Sequence, residues 1–230
     1  MKNLNSPNFA YSYSLYCEIS MDSYKIKTKM KKRIRTHTNP LNIRQRLDDI
    51  SIADQLNHYD ALDLEIGFGR GRFMSQYAEN HPNRYVVGVE VRKQMVEAFK
   101  TRYTIPNCLP LWGAGAICLE DVIPDGNVSR VFIFHPDPWF KKRHHKRRVV
   151  NHHLFTLIKQ KLVPGGMVYI STDVQELYED MMNLCETYGN LEFIKDDPFW
   201  GSDYLTHWSM FSDLDDRSQF FIAFKFKEEK

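Results

Sequence analysis

Two periods of apolar residues alternate along this chain. ALDLEI (61–66) is short and mainly apolar, and RYVVGVEV (84–91) reads as a buried strand. Each is followed by helix-period patterning, from about Arg72 to Asn80 and over RKQMVEAFKTRY (92–103). NCLPLW (107–112) and VSRVFIFH (128–135) predict a third and a fourth strand. VVNHHLFTLIKQKLV (149–163) predicts a helix that stops at Pro164-Gly165-Gly166. GMVYIST (166–172) is a fifth strand, and VQELYEDMMNLCETYG (174–189) is a helix ending on Gly189. LEFIK and RSQFFIAFKFK then close the sheet as an antiparallel pair. Strand–helix alternation at this spacing predicts an α/β fold, its mostly parallel sheet covered on both faces. Ligands in such sheets bind beyond the carboxyl ends of the strands, so the residues just after each strand carry the functional information.

The first 50 residues break the alternation. They read as a basic N-terminal extension, irregular or partly helical, with a turn at Asn39-Pro40 and then one helix; residues 51–230 form the domain proper. From Tyr24 to Leu47 the chain holds nine Lys or Arg and no acid. A second cluster, Lys141 to Arg148, has six Lys or Arg with His144 and His145. The net charge is only +2, so the asymmetry lies in distribution, and two basic clusters in one chain point to a polyanion such as nucleic acid. The composition, 43% hydrophobic and 26% charged, is that of an ordinary globular protein, with no apolar run long enough for a membrane span. The N-terminus lacks a secretory pattern. Cys17, Cys108, Cys118 and Cys185 are scattered with no CxxC pair, which speaks against a zinc cluster or a disulfide framework and fits a cytoplasmic protein.

DLEIGFGRGRF puts Gly67, Gly69 and Gly71 directly after the first strand and before a helix, where glycines allow a tight turn close to a ligand. The dinucleotide fingerprint GxGxxG needs a third glycine at position 72, which is Arg72, and no GxxxxGK[ST] phosphate loop is present. Glu65, at the strand end, would repel a pyrophosphate but suits an ammonium or sulfonium. Glu90 follows the second strand, where an acid accepts hydrogen bonds from ribose hydroxyls. Together they favour S-adenosylmethionine over a phosphate-bearing cofactor. His81, His144, His145, His152 and His153 lack the HExxH pattern of a zinc site, so no metal is expected.

The fourth strand runs into FHPDPWFKKRHHKRR (134–148). Asp137 lies on the same edge as the glycine loop, Pro136 and Pro138 restrict the backbone around it, and Trp139 either packs beneath the loop or offers a stacking face. The cations that follow, Lys141, Arg143 and Arg147 among them, suit phosphates, which Arg can grip bidentately.

DLEIGFGRGRF, VGVEVR, HPDPWFKKRHHKRRVV, VPGGMVYISTD and RIRTHTNPL together resemble the tRNA (guanine-N7-)-methyltransferase family, closely over residues 33–175 and loosely elsewhere. The resemblance implies a Rossmann-like class I methyltransferase fold with a mostly parallel seven-stranded sheet and an antiparallel C-terminal strand. It also implies S-adenosylmethionine as donor and a guanine in the tRNA variable loop as acceptor. Carried onto this chain, it makes Glu65, Gly67, Gly69 and Glu90 cofactor contacts, Asp137 the catalytic-site acid, and Lys141, Asp173 and Thr206 substrate contacts, with Arg143 and Arg147 on the RNA. The chain departs from the family at several places. GAGA puts Gly115 and Ala116 where the family has an acid or amide followed by Ala beside adenine. His135 replaces Phe, Phe140 replaces Pro, and Thr206-His207-Trp208-Ser209 keeps the threonine of Thr-x-x-Glu but loses the glutamate. Two other readings stay open: a tRNA-binding protein that has lost catalysis, and a methyltransferase acting on another RNA or a small molecule. A monomer is expected, with a homodimer as the alternative.

Overall fold

A computed structural model describes residues 38–201 and 218–227. The strands are β1 (Ala61–Ile66), β2 (Arg84–Glu90), β3 (Cys108–Trp112), β4 (Val128–Phe134), β5 (Leu162–Thr172), β6 (Leu191–Phe193) and β7 (Phe220–Phe226). The helices are α1 (Ala53–Leu56), α2 (Arg72–Asn80), α3 (Lys93–Arg102), α4 (Gly115–Asp121), α5 (His152–Lys161) and α6 (Gln175–Tyr188). The seven strands form one sheet in the order β3-β2-β1-β4-β5-β7-β6. β1 to β5 run parallel, whereas β7 lies antiparallel to both β5 and β6. This is the expected mostly parallel sheet with its antiparallel C-terminal strand.

Helices cover both faces because the central strands are buried on both sides, which is why their sequences are so uniformly apolar. One core joins Leu64, Ile66, Val87, Val131 and Ile133 to α4 and α5 through Leu119, Leu154, Phe155 and Ile158. The other is aromatic: Phe73 and Tyr77 of α2 meet Phe132, Phe134 and Tyr169. Phe73 lies edge-on to Phe132 and Phe134 at centroid separations of 4.9 and 4.8 Å, and each such buried ring stabilises the fold by roughly 1.5–3 kcal/mol. Beneath it Asp63 is fully buried yet satisfied, accepting from Tyr77 Oη at 2.8 Å and from Arg84 in a two-pronged pair. Gly71, at φ 72°, starts α2 where a Cβ would run into the Phe99 ring of α3; only glycine meets both demands.

The chain order reverses between β1 and β4: from β1 the sheet grows one way to β2 and β3, the other way to β4 and β5. A crevice therefore opens at the carboxyl ends of β1 and β4, bordered by the glycine loop and by the segment containing Asp137.

Three local expectations differ. No helix follows Asn39-Pro40 directly: Pro40–Asn42 make one 3-10 turn, capped by the Asn39 side chain, and the chain is then irregular up to the four-residue α1. This segment is held instead by Asp121, which pairs with Arg46 and accepts the Leu47 N–H at 2.7 Å, while the Leu47 side chain is buried. α4 lies where the glycines of GAGA conceal a helix start. β5 begins at Leu162, not Gly166, because Gly165 at φ 74° lets the strand resume after a register shift opposite Val128/Arg130.

Candidate active site

The glycine loop closes over the end of β1. The Gly67 N–H donates to Val89 O at 2.7 Å and the Gly69 N–H to Glu90 Oε2 at 2.9 Å. Gly67 and Gly69 sit at φ 85° and 59°, and a Cβ added at Gly67 would meet nothing within 4 Å, so open space lies above the turn. Beside it Glu65 is buried, and its Oε2 has no hydrogen-bond partner. Burial first, and then the charge of Glu90, pushes its carboxyl up to about 8. A buried, unsatisfied acid next to a glycine turn fits the cationic amino-acid end of S-adenosylmethionine and opposes a phosphate.

Glu90 is held very differently. Its Oε1 accepts from the Arg92 backbone N–H and Nε, both at 2.9 Å, and its Oε2 accepts from Arg92 Nη2 at 2.8 Å as well as from Gly69. A ribose can reach this carboxylate only by exchanging with Arg92. The Arg92 guanidinium is itself held in its charged form, chiefly by its hydrogen bonds to Glu90, with the Asp137 carboxylate adding to the effect. Arg92 thus connects the first two strand ends to the loop after β4. The sequence reading missed it; the available signal was a cation two residues after the acid in VGVEVR.

The loop after β4 is constrained at each end. His135 and Trp139 adopt φ 46° and 45°, left-handed values that cost a non-glycine residue about 1 kcal/mol, and between them Pro136 and Pro138 flank the exposed Asp137. The His135 N–H donates to Ser171 O at 2.8 Å, which ties the loop to β5. Its Nδ1 lies 3.6 Å from Asp173 Oδ1, so Asp137 and Asp173 stand at adjoining strand ends. Trp139 is half-buried against the basic turn: Arg147 stacks on its face at 5.0 Å and His144 meets it edge-on at 5.9 Å.

The cations that follow divide into two groups. Lys141, Lys142, Arg143 and Lys146 are exposed along a turn of 3-10 helix, Lys142–Arg147. Arg148 is 8% exposed and turns inward, donating to Pro138 O at 2.7 Å and pairing with Asp180 and Glu176 of α6. It is a strut that fixes the Asp137 loop, not a hand for phosphate. Gly115 and Ala116 lie at the start of α4 on the same edge. A Cβ at Gly115 would come within 2.7 Å of Ile66, and Ala116 packs on the core, so both have packing reasons of their own. Thr206 and Ser209 lie outside the described residues.

Comparison with known proteins agrees with this architecture. The model of the family described as "Putative methyltransferase" matches residues 60–219. A tRNA (guanine-N(7)-)-methyltransferase of Synechocystis sp. is 38% identical over 182 residues, covering 75% of this chain and 86% of that protein. Enzymes of the same name from Synechococcus sp. and Thermosynechococcus vestitus are 33% and 35% identical, covering 74% and 68% of this chain and 71% and 76% of theirs. Among solved structures, the 16S rRNA methyltransferase KamB superposes with a TM-score of 0.53 at 17% identity, over 82% of this chain and 98% of that one. The aminoglycoside resistance methyltransferase NpmB1 gives 0.51 at 18% identity, over 79% and 94%. These two likenesses concern the fold alone. The relatives go further, and with the motifs and strand-end acids above they make this chain a member of the tRNA (guanine-N7)-methyltransferase family.

Proposed function

We propose that this chain transfers a methyl group from S-adenosylmethionine to N7 of a guanine in the variable loop of tRNA. One observation carries the reading: Glu65 is buried beside the glycine turn with an unpartnered Oε2, Glu90, held by Arg92, ends the strand on one side of β1, and Asp137 follows the strand on the other. Acids suited to a cofactor and to an acceptor base thus lie at neighbouring strand ends. The names of the relatives at 33–38% identity support the same activity.

When bound, the cofactor supplies an electrophilic methyl group on a sulfonium sulfur. Glu65 would accept hydrogen bonds from its ammonium group, Gly67 and Gly69 would leave room for it, Glu90 would exchange Arg92 for the ribose, and Gly115 with Ala116 would border the adenine. Guanine N7 carries a lone pair and no proton at neutral pH, so attack needs no general base. That lone pair would take up the methyl group as the sulfonium sulfur keeps the electrons of its broken bond, so the chain's own task is alignment. Asp137 accepts hydrogen bonds from the base's N1–H and exocyclic amine, holding N7 in line with the methyl carbon. Asp137 and Asp173 also stabilise the positive charge that develops on the base. Lys141, Arg143 and Arg147 meet phosphates, and Thr206 is assigned to the substrate side.

The basic extension, residues 1–50, adds phosphate contacts to the domain of residues 51–230, and the chain works in the cytoplasm as a monomer. Incubating purified tRNA with isotope-labelled S-adenosylmethionine and this protein, followed by mass spectrometry of the nucleosides, tests the reading. Labelled 7-methylguanosine is the expected product; label at another position, or none, overturns the assignment.

A further inference from the structure

We propose that Phe140 is a stacking platform for a nucleobase of the acceptor RNA, next to the base held by Asp137. The proposal rests on the tRNA reading above and adds a contact to it. With a relative exposure of 60%, Phe140 is the most exposed large apolar side chain among the described residues. A ring so exposed forgoes the roughly 1.5–3 kcal/mol that burial would contribute, which an interior position could have recovered. Its neighbour Trp139, at φ 45°, is half-buried against the basic turn, with Arg147 on its face and His144 at its edge, whereas Phe140 stays in solvent. Arg148 holds the Pro138 carbonyl at 2.7 Å from below, which fixes the base of this projection.

The surroundings name the occupant. Phe140 lies three residues from Asp137, and Lys141, Lys142 and Arg143 follow it directly, all exposed. An apolar peptide would have to leave these cations facing nothing, whereas an RNA strand satisfies both chemistries at once. Its phosphates meet the cations while a base lies flat on the ring. A guanine drawn out of its tertiary contacts leaves neighbouring bases unstacked, and the Phe140 ring can recover that lost stacking for one of them.

Four variants, Phe140→Ala, Phe140→Leu, Phe140→Tyr and Phe140→Trp, would be measured for tRNA affinity across a salt series, for S-adenosylmethionine affinity by calorimetry and for 7-methylguanosine formation. Stacking predicts that Ala and Leu weaken tRNA binding by about 5- to 150-fold, the range carried by one base–aromatic stack, while Tyr and Trp restore it. Because no charge is removed, the slope of log affinity against log salt stays at the wild-type value, and cofactor affinity is unchanged. Wild-type tRNA affinity in Phe140→Ala, or equal affinity of the Leu and Tyr variants, overturns the proposal. If the wild type methylates tRNA and Phe140→Ala binds it normally, the stacking fails and the function stands. If the wild type makes no 7-methylguanosine but the aromatic dependence of tRNA binding persists, the function fails and the stacking stands.

Discussion

Arg92 grips the Glu90 carboxylate through three N–H groups, its backbone N–H and Nε at 2.9 Å and its Nη2 at 2.8 Å. The pair fills acceptor positions of a carboxylate that, in the proposed mechanism, a ribose must take over, so removing the guanidinium removes a competitor and a positive charge beside a cationic cofactor. Arg92→Ala is expected to strengthen S-adenosylmethionine binding about fivefold. This corresponds to about 1 kcal/mol, the low end for a charge-assisted pair because the Arg92 side chain is 39% exposed and screened by water. Titration calorimetry reads this directly, and an unchanged Kd would show that Arg92 does not compete with the ribose for Glu90.

Glu65 gives the protein a pH dependence of known sign. Its carboxyl rises from 4.5 to about 8 in the folded state, chiefly through burial. Between those values the folded protein holds a proton that the unfolded chain has released, so stability falls as pH rises from 4.5 toward 8 and levels off above. Glu65→Gln removes this slope, and its melting curves should lose less Tm than the wild type between pH 5 and about 8. Binding of a cationic ligand ionises Glu65, so S-adenosylmethionine should release a proton near neutral pH from the wild type and not from Glu65→Gln. Calorimetry in buffers of different ionisation enthalpy detects that proton; equal release from both proteins would remove Glu65 from the site.

Asp137 is exposed and, in the proposed mechanism, orients the acceptor, so its loss should spare the fold and the cofactor site. Asp137→Ala is expected to lower methyl transfer by about 100-fold or more, the usual cost of a misaligned reacting pair, with S-adenosylmethionine affinity within twofold of wild type. Full turnover by this variant on purified tRNA would sink the assignment.

Arg148 and Lys141 separate structure from RNA contact within one basic run. Arg148→Ala leaves the Pro138 carbonyl and Asp180 without their partner and should cost about 2–3 kcal/mol of stability, seen as a fall in Tm. Lys141→Ala should leave Tm unchanged and reduce the salt slope of tRNA binding by about 0.7–0.9, one phosphate contact. The opposite pattern would reverse the roles given to these two cations.

The extension is tested by deletion. Removing residues 1–32 takes away KIKTKMKK and should lower both tRNA affinity and its salt slope. Binding and slope equal to the full chain would confine the RNA contacts to the remaining residues.

Much of this was legible along the chain because strands buried on both faces must be apolar throughout, and their helices must carry a stripe. ALDLEI and RYVVGVEV therefore announced β1 and β2 within a residue. α4 was not legible, since Gly113 and Gly115 argue locally for a loop, and only the Ile66 side chain shows that Gly115 is there for close packing. The helix expected after Pro40 failed for the converse reason: Asp121, more than 70 residues away, claims Arg46 and Leu47.

Glu65, Gly67, Glu90, Asp137 and Asp173 could be singled out along the chain, because lying at a strand end or just past it is a local property. How each is buried and paired came from the folded chain alone. Whether a carboxylate is buried alone, like Glu65, or already gripped, like Glu90, depends on groups that other strands bring near it. Whether a cation faces solvent, like Lys141, or the interior, like Arg148, depends on a carbonyl and two acids that chain order does not reveal. Burial and pairing are sums over neighbours in space, and those neighbours are set by how the sheet closes.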